Sequence, residues 1–203
     1  MLKSSFGRQV EWISVKIGIV FARLRIPPNI WTILALAPAI IGLYALYQKM
    51  LFEAVVLFFI SGFIDAIDGA VARVTGSESA IGAFLDGVVD RYVEIFLYIG
   101  LLTYLSGTAT PIIPLEAWII VLVFGALMPS FITAYADHRG VITEPEKLKR
   151  MGGLIERAER LNILYLGMIL GIFDVIYLVY AVVGVAVLAN LTALQRTAYV
   201  LRH

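Results

Sequence analysis

The stretch that decides the fold is DAIDGAVARVTGSESAIGAFLDGVVDRYVE, residues 65–94, which carries four aspartates between two long apolar runs. The turn TGSES at its centre predicts a helical hairpin. Asp65 and Asp90 then lie level with each other, as do Asp68 and Asp86, because each pair is about equally far from the turn. The i,i+3 and i,i+4 spacings place both acids of each helix on one face. The hairpin therefore predicts a compact cage of four carboxylates.

The composition indicates an integral membrane protein. Hydrophobic residues make up 61% of the 203 residues and charged residues only 15%, whereas a soluble domain is ordinarily about 45–50% apolar. A net charge of +1 gives no indication of a nucleic-acid partner. The chain has no cysteine, which excludes disulfides and thiol chemistry.

We predict an all-α membrane protein of one domain, residues 1–203, with an interfacial amphipathic helix over 1–26 and six transmembrane helices over 27–203. A spanning helix needs about 20 mostly apolar residues. The predicted spans are about 29–47, 51–72, 81–104, 115–136, 161–173 and 175–194. The fifth span begins in this prediction as the polar helix GGLIERAERLN, and Asp174 marks a tight turn before the sixth.

The first 25 residues show one apolar helical stripe. Its members are Phe6, Val10, Ile13, Ile17, Val20 and Leu24. A helix of this pattern lies flat in a membrane interface; the alternative is a helix packed in a soluble domain. RIPPN, residues 25–29, then ends the helix because proline disfavours its continuation.

Lys and Arg alternate between the connections in a way that orients the spans. One side carries Arg23, Arg25, Arg73, the cluster over 139–160, Arg196 and Arg202, and the other carries only Lys49. We therefore predict a multi-pass protein of the cell membrane with both termini and the carboxylate cage near the cytoplasmic face.

Four carboxylates in a medium of low dielectric require counter-charge. Oxygen ligands select hard cations such as Mg²⁺, Mn²⁺ or Ca²⁺, and a cage of this size holds two ions about 3.5–4 Å apart, an arrangement used in phosphoryl chemistry. The alternative is that Arg73 and Arg91 neutralise the acids, although two arginines do not balance four aspartates.

The residues around the acids fit phosphate chemistry. Gly69, Ala72 and Gly82 are small, so a nucleotide or phosphate can approach the backbone there. Arg73 supplies a fork-shaped cation about one turn from Asp68, which suits a phosphate.

The pattern Asp65-x2-Asp68-Gly69-x2-Ala72-Arg73-x8-Gly82-x3-Asp86-x3-Asp90 resembles the signature of the CDP-alcohol phosphatidyltransferase family. PPNIWT, residues 27–32, and the arrangement of spans are also similar to that family. The resemblance implies a phospholipid-synthesising transferase in which a hydroxyl of a small polar alcohol attacks a CDP-linked lipid, CDP-diacylglycerol or CDP-archaeol, and CMP leaves.

The same resemblance implies the roles of individual residues. Two Mg²⁺ or Mn²⁺ ions are bound by Asp65, Asp68, Asp86 and Asp90, and Asp90 is also the general base. The nucleotide is lined by Gly69, Ala72, Arg73 and Gly82. Family resemblance further implies a homodimer in the membrane.

The acceptor alcohol is predicted from residues 136–162. Arg157 and Arg160 share a helix face, and with Arg139 they form a predicted site for a phosphorylated acceptor. The alternative is solvated surface, with Glu156 and Arg160 paired at i,i+4. ERAER, residues 156–160, resembles the branch of the family that uses inositol phosphate.

One departure from that branch lies at the end of the fourth span. Thr133 and Tyr135 occupy positions where the branch has basic residues, so glycerol phosphate remains the rival acceptor. A divalent-cation transporter is the alternative from another class, because intramembrane acids also mark ion pathways. The four acids lie in one hairpin, with no acidic path across the membrane, which favours the enzyme.

Overall fold

The structure is a computed structural model that describes the backbone of residues 2–202 and the side chains of residues 12–148 and 150–202. Every regular element in this part of the chain is a helix, as predicted. The helices are α1 Leu2–Ala22, α2 Pro28–Leu34, α3 Leu36–Tyr47, α4 Leu51–Thr75, α5 Ala80–Tyr104, α6 Leu115–His138, α7 Pro145–Lys149, α8 Arg157–Gly171 and α9 Val175–Val200. The chain divides into two compact units, residues 1–100 and 101–203, and its organisation as one domain stays a prediction.

Four helical segments of the described chain are long and apolar enough to cross a membrane. They are Pro28–Tyr47, which contains α2 and α3, and the helices α4, α6 and α9. Helix α5 carries four charged residues and is too polar, and α8 has only 15 residues and is too short. Neither is therefore counted among the helices that could cross a membrane. The protein is therefore a multi-pass membrane protein, and the predicted count of six spans is not confirmed.

The first predicted span is broken at Ala35, between α2 and α3. Pro38 lacks the N–H that would bond the carbonyl of Leu34, and its ring crowds that carbonyl, so the helix cannot continue unbroken. The hydroxyl of Ser61 in α4 donates to the carbonyl of Ala35 at 2.8 Å. A side chain of the neighbouring helix thus satisfies a backbone group at the break.

Helix α1 packs against α4 along one face. Ile17 and Phe21 contact a buried cluster of Trp31, Ile67 and Val71, and Phe21 meets the Trp31 ring edge-on at a centroid distance of 5.3 Å. Because only this face of α1 packs against α4, other residues of the predicted apolar stripe remain exposed.

The exposed members of the stripe are Ile13, Val20 and Leu24. Such an arrangement is typical of a helix lying in a membrane interface. Phe6 and Val10 lie outside the side chains that the structure describes.

The turn between α4 and α5 is defined by its capping residues. Gly76 ends α4 in a left-handed conformation with φ 64°, which glycine adopts without a steric penalty. Ser77 N–H then donates to the carbonyl of Ala72 at 3.0 Å. Ser79 caps α5 by accepting the N–H of Gly82 at 3.0 Å, as serine does at helix N-termini. The predicted helical hairpin is thereby confirmed at its turn.

In the second unit, α9 packs against α6 and α8. The segment before α8 is held on α9 by polar side chains: Thr192 Oγ1 accepts the N–H of Ile155 at 3.2 Å, and Gln195 Oε1 accepts the N–H of Leu154 at 3.0 Å. A Cβ on Gly153 would collide with the Thr192 side chain.

Helix α8 begins at Arg157, with Glu156 as its N-cap in a capping box. The prediction that the fifth span opens as a helix at Gly152 is therefore wrong. Asp174 does form the predicted turn, and its side chain caps α9 by accepting the N–H of Ile176 at 2.9 Å.

Candidate active site

Three of the four predicted metal ligands converge. Asp65 and Asp68 of α4 and Asp86 of α5 each offer a carboxylate oxygen, and these oxygens lie within 4.8 Å of one another. Asp68 is buried, and the other two are half-buried. Asp90, one turn further along α5, is half-buried and does not belong to this group of three. Its role as a ligand and as the base stays a prediction.

Helix α2 contributes a side chain that donates a hydrogen bond to one of the acids. Thr32 is buried with 3% of its surface exposed, and its Oγ1 donates a short hydrogen bond to Asp68 Oδ2. The same hydroxyl lies 3.3 Å from the carbonyl of Pro28. Thr32 was not predicted as a site residue, although PPNIWT contains it.

A cavity of about 270 Å³ adjoins two of the acids, Asp68 and Asp86. All four residues predicted to line the nucleotide also line this cavity: Gly69, Ala72, Arg73 and Gly82. The other lining residues come from α2 and from the turn and start of α5: Pro28, Asn29, Thr32, Ser77, Glu78, Ser79 and Ala83.

Gly82 is needed for the width of this cavity. A Cβ at this position would lie 3.1 Å from Ser79 Oγ and 3.3 Å from Asn29 Oδ1. Any side chain there would press on two polar groups of the cavity wall.

The two arginines near the acids have different partners. Arg73 Nη2 donates to Ser14 Oγ of α1 at 2.6 Å. Arg91 Nη1 donates to Glu94 at 2.7 Å, and Glu94, which is buried, also accepts from the hydroxyl of Tyr98 at 2.7 Å. Because Arg91 is paired with Glu94, the interpretation that it neutralises the aspartates loses support.

The three arginines predicted to bind the acceptor lie in the second unit. Arg157 and Arg160 are both in the first turn of α8, the former half-buried and the latter only 3% exposed. Arg139, directly after α6, is exposed, and its guanidinium carbon lies 5.9 Å from the centre of the Tyr135 ring. It lines a mostly apolar cavity of about 340 Å³ between α6 and α9. Acceptor binding by these arginines stays a prediction.

An arginine that is not among the predicted site residues contacts Thr133, a position where a basic residue was expected. Arg196 of α9 donates to Thr133 Oγ1 at 3.0 Å and to the carbonyl of Pro129 at 2.9 Å. Its other nitrogen, Nη2, contacts both carboxylate oxygens of Glu156 at 3.0 and 2.8 Å. The carboxylate of Glu156 is thus paired with Arg196.

The chain is similar to proteins of known activity. It is 30% identical over 182 residues to the archaetidylinositol phosphate synthase of Pyrococcus horikoshii, covering 89% of this chain and 87% of that protein. Its structure superposes with a TM-score of 0.79 on the phosphatidylinositol phosphate synthase of Mycobacterium tuberculosis with CDP-DAG bound, at 27% identity and 93% coverage of both chains. The same enzyme in complex with manganese and citrate also gives a TM-score of 0.79, at 26% identity over 93% of this chain and 88% of the other.

The family model of the CDP-alcohol phosphatidyltransferases matches residues 25–191. This range contains the three converging acids and every lining residue of the cavity beside Asp68 and Asp86. The chain belongs to the CDP-alcohol phosphatidyltransferase family.

Proposed function

We propose that this enzyme transfers a phosphatidyl or archaetidyl group from a CDP-linked lipid to inositol phosphate and releases CMP. The observation that carries the proposal is the convergence of three carboxylates beside a cavity lined by the small residues and the arginine of the motif. The similarity to inositol-phosphate enzymes over most of the chain supports the acceptor.

The donor set suits a divalent cation. Asp65, Asp68 and Asp86 offer carboxylate oxygens close enough to share an ion, and such ligands favour Mg²⁺ or Mn²⁺. We propose that they hold the metal, with Asp90 completing a site for two ions. When bound, these ions would neutralise the charge that develops on the phosphate and the leaving group.

The cavity residues would bind the CDP moiety. Gly69, Ala72 and Gly82 leave room for the nucleotide against the helix backbones, and Arg73 offers N–H groups to a phosphate oxygen. Asn29 and Ser79 add polar groups to the same wall. The bound lipid is thereby held with its phosphates beside the acids.

The chemical step requires one proton acceptor. We propose that Asp90 accepts the proton of the acceptor hydroxyl as its oxygen bonds to the lipid-bearing phosphorus. The bond from that phosphorus to the oxygen of CMP breaks, and CMP leaves with the electron pair. The phosphoanhydride bond of the CDP-lipid is thereby exchanged for a phosphodiester bond to the acceptor, so no further reactant is needed.

The acceptor's phosphate would be bound by Arg139, Arg157 and Arg160. Arg157 and Arg160 are the better candidates because the capping box at Glu156 and the contacts of residues 154 and 155 with α9 fix the start of their helix. Glycerol phosphate is the competing acceptor and is distinguished by assay.

We further propose six spans, with α5 and α8 added to the four apolar ones. Helix α5 has 25 residues and a length of about 37 Å, enough to cross the hydrocarbon core. Both termini and the cavity would face the cytoplasm. Because the chain lacks cysteine, single cysteines at Ser106 and Glu144 allow labelling from either side: the first should react from outside intact cells and the second only after lysis.

We also propose that the protein is a homodimer. The mass of the purified protein in detergent tests this proposal.

The reaction is tested by CMP release from CDP-diacylglycerol or CDP-archaeol with Mg²⁺ or Mn²⁺. Inositol phosphate, glycerol phosphate, inositol and serine are compared as acceptors. We expect release with inositol phosphate alone and its loss in Asp86→Asn and Asp90→Asn, both of which should elute as folded protein. Release with glycerol phosphate instead would refute the acceptor. Transport of Mn²⁺ into liposomes without CMP release would favour the transporter.

A further inference from the structure

Helix α1 contacts the proposed phosphate-binding arginine directly. Arg73 Nη2 donates to Ser14 Oγ at 2.6 Å, and the two residues are 59 positions apart in the chain. The other guanidinium nitrogen, Nη1, lies over Gly69, 3.4 Å from where a Cβ would stand on that residue. The guanidinium therefore extends from the cavity floor at Gly69 to the hydroxyl of α1.

The position of Ser14 is fixed by a close backbone contact one helical turn further on. A Cβ on Gly18 would collide with the carbonyl oxygen of Ala70 and with the Val74 side chain. Ser14 and Gly18 are spaced i,i+4 and so lie on the same face of α1. The contact of Gly18 with Ala70 thereby sets the distance between the Ser14 hydroxyl and Arg73.

An exposed arginine without such a contact samples many rotamers, and ordering them on binding reduces affinity. Arg73 is exposed, yet one of its nitrogens is already held. A hydroxyl is a neutral acceptor, so it orients the guanidinium without neutralising the charge that a phosphate needs. A carboxylate at position 14 would compete with the substrate for Arg73.

We propose that Ser14 is a positioning residue for substrate binding: it orients Arg73 toward the diphosphate of the CDP-linked lipid. Helix α1 is then part of the donor site as well as a membrane-surface element. The inference rests on the proposed function, in which Arg73 contacts the donor lipid.

The test is a double-mutant cycle on the full-length protein, with Ser14→Ala, Arg73→Ala and the double variant. The readout is the Kd for CDP-diacylglycerol, measured by calorimetry in detergent with Mn²⁺, because binding can be followed even where turnover is lost. Loss of one hydrogen bond predicts a Kd about three- to tenfold higher for Ser14→Ala. In the Arg73→Ala background the same serine change should leave Kd unaltered, since its partner is already gone.

Kinetics separate positioning from general damage. Ser14→Ala should raise KM for the CDP-lipid and leave kcat within about twofold, because the acids are untouched and only donor binding is weakened. Ser14→Thr retains the hydroxyl and should restore KM. Ser106→Ala, the removal of an exposed hydroxyl in the second unit, is the matched control and should behave as wild type.

Three results would overturn the inference. An equal effect of Ser14→Ala in both backgrounds would show that the serine acts on the fold and not through Arg73. A wild-type Kd for Ser14→Ala beside a weakened Arg73→Ala would refute the inference and leave the proposed function intact. A wild-type Kd for Arg73→Ala would refute the proposed role of Arg73, and the inference with it.

Discussion

Replacement of Thr32 by valine tests whether α2 supports the proposed metal site. Valine has nearly the same shape, so the buried position keeps its packing while Asp68 Oδ2 loses the hydroxyl that donates to it. The hydroxyl also lies near the carbonyl of Pro28, but that carbonyl opens α2, where helical geometry pairs it with the backbone N–H four residues further on. The substitution therefore acts chiefly on Asp68.

The size of the effect follows from the charge of the acceptor. A hydrogen bond to an ionised group contributes about 1.5–3 kcal/mol, which corresponds to a factor of about 10 to 100 in an equilibrium constant. Loss of groups that orient metal ligands typically costs about the same factor in affinity. We expect the Mn²⁺ concentration for half-maximal activity to rise about 10- to 100-fold in Thr32→Val.

Mn²⁺ binding is measured from the electron paramagnetic resonance signal of free Mn²⁺ while the purified protein is titrated. CMP release is measured at each metal concentration. Thr32→Ser is the matched control because it retains the hydroxyl and should bind Mn²⁺ nearly as the wild type does. Half-saturation of Thr32→Val within twofold of the wild type, with an unchanged melting temperature, would refute the argument that Thr32 orients a metal ligand.

Three further substitutions test the packing and the cavity. Gly82→Ala should raise KM for the CDP-lipid about tenfold or more with little change in melting temperature. The reason is that the new Cβ would lie 3.1 Å from the Ser79 hydroxyl oxygen in the cavity wall. An unchanged KM would contradict this prediction. Gly18→Ala should lower the free energy of unfolding by about 1–3 kcal/mol, measured by thermal unfolding, because the added Cβ would collide with Ala70 and Val74 of α4. Gly184→Ala, where a Cβ meets open space, is its control and should not lower the melting temperature. Arg196→Ala removes the pair with Glu156 and should lower stability by about 1–2 kcal/mol, since Glu156 is half exposed; Glu156→Gln should give a smaller loss.

The hairpin and its acids could be predicted from the sequence because they depend on local rules. Gly76 and Ser79 are the residues that a helix end and a helix start favour, and helical periodicity places Asp65 beside Asp68. The break at Ala35 follows from Pro38, but the residues on both sides of it are apolar, so hydropathy alone predicts one unbroken helix there.

The contacts that orient the site could not be predicted because their partners are far apart in the chain. Thr32 and Asp68 are separated by 36 positions, and Glu156 and Arg196 by 40. A local pattern offered Arg160 as a partner of Glu156 at i,i+4, yet packing of α8 on α9 brings Arg196 to that carboxylate. Tertiary packing thus decides which of several compatible cations an acid meets.

The charged residues of α5 have a consequence for how the chain enters the membrane during synthesis. One helix contains four charged residues: Asp86, Asp90, Arg91 and Glu94. Insertion of an ionised side chain at the centre of a span through the translocon costs about 2.5–3.5 kcal/mol. Such a segment does not partition into lipid by itself. In the proposed six-span topology, the pair of half-buried Arg91 with buried Glu94 and the capped turn to α4 favour the hairpin over the single helix as the unit of insertion. In this topology the acids of α4 and α5, the proposed metal ligands, would already be brought together when the hairpin enters the membrane.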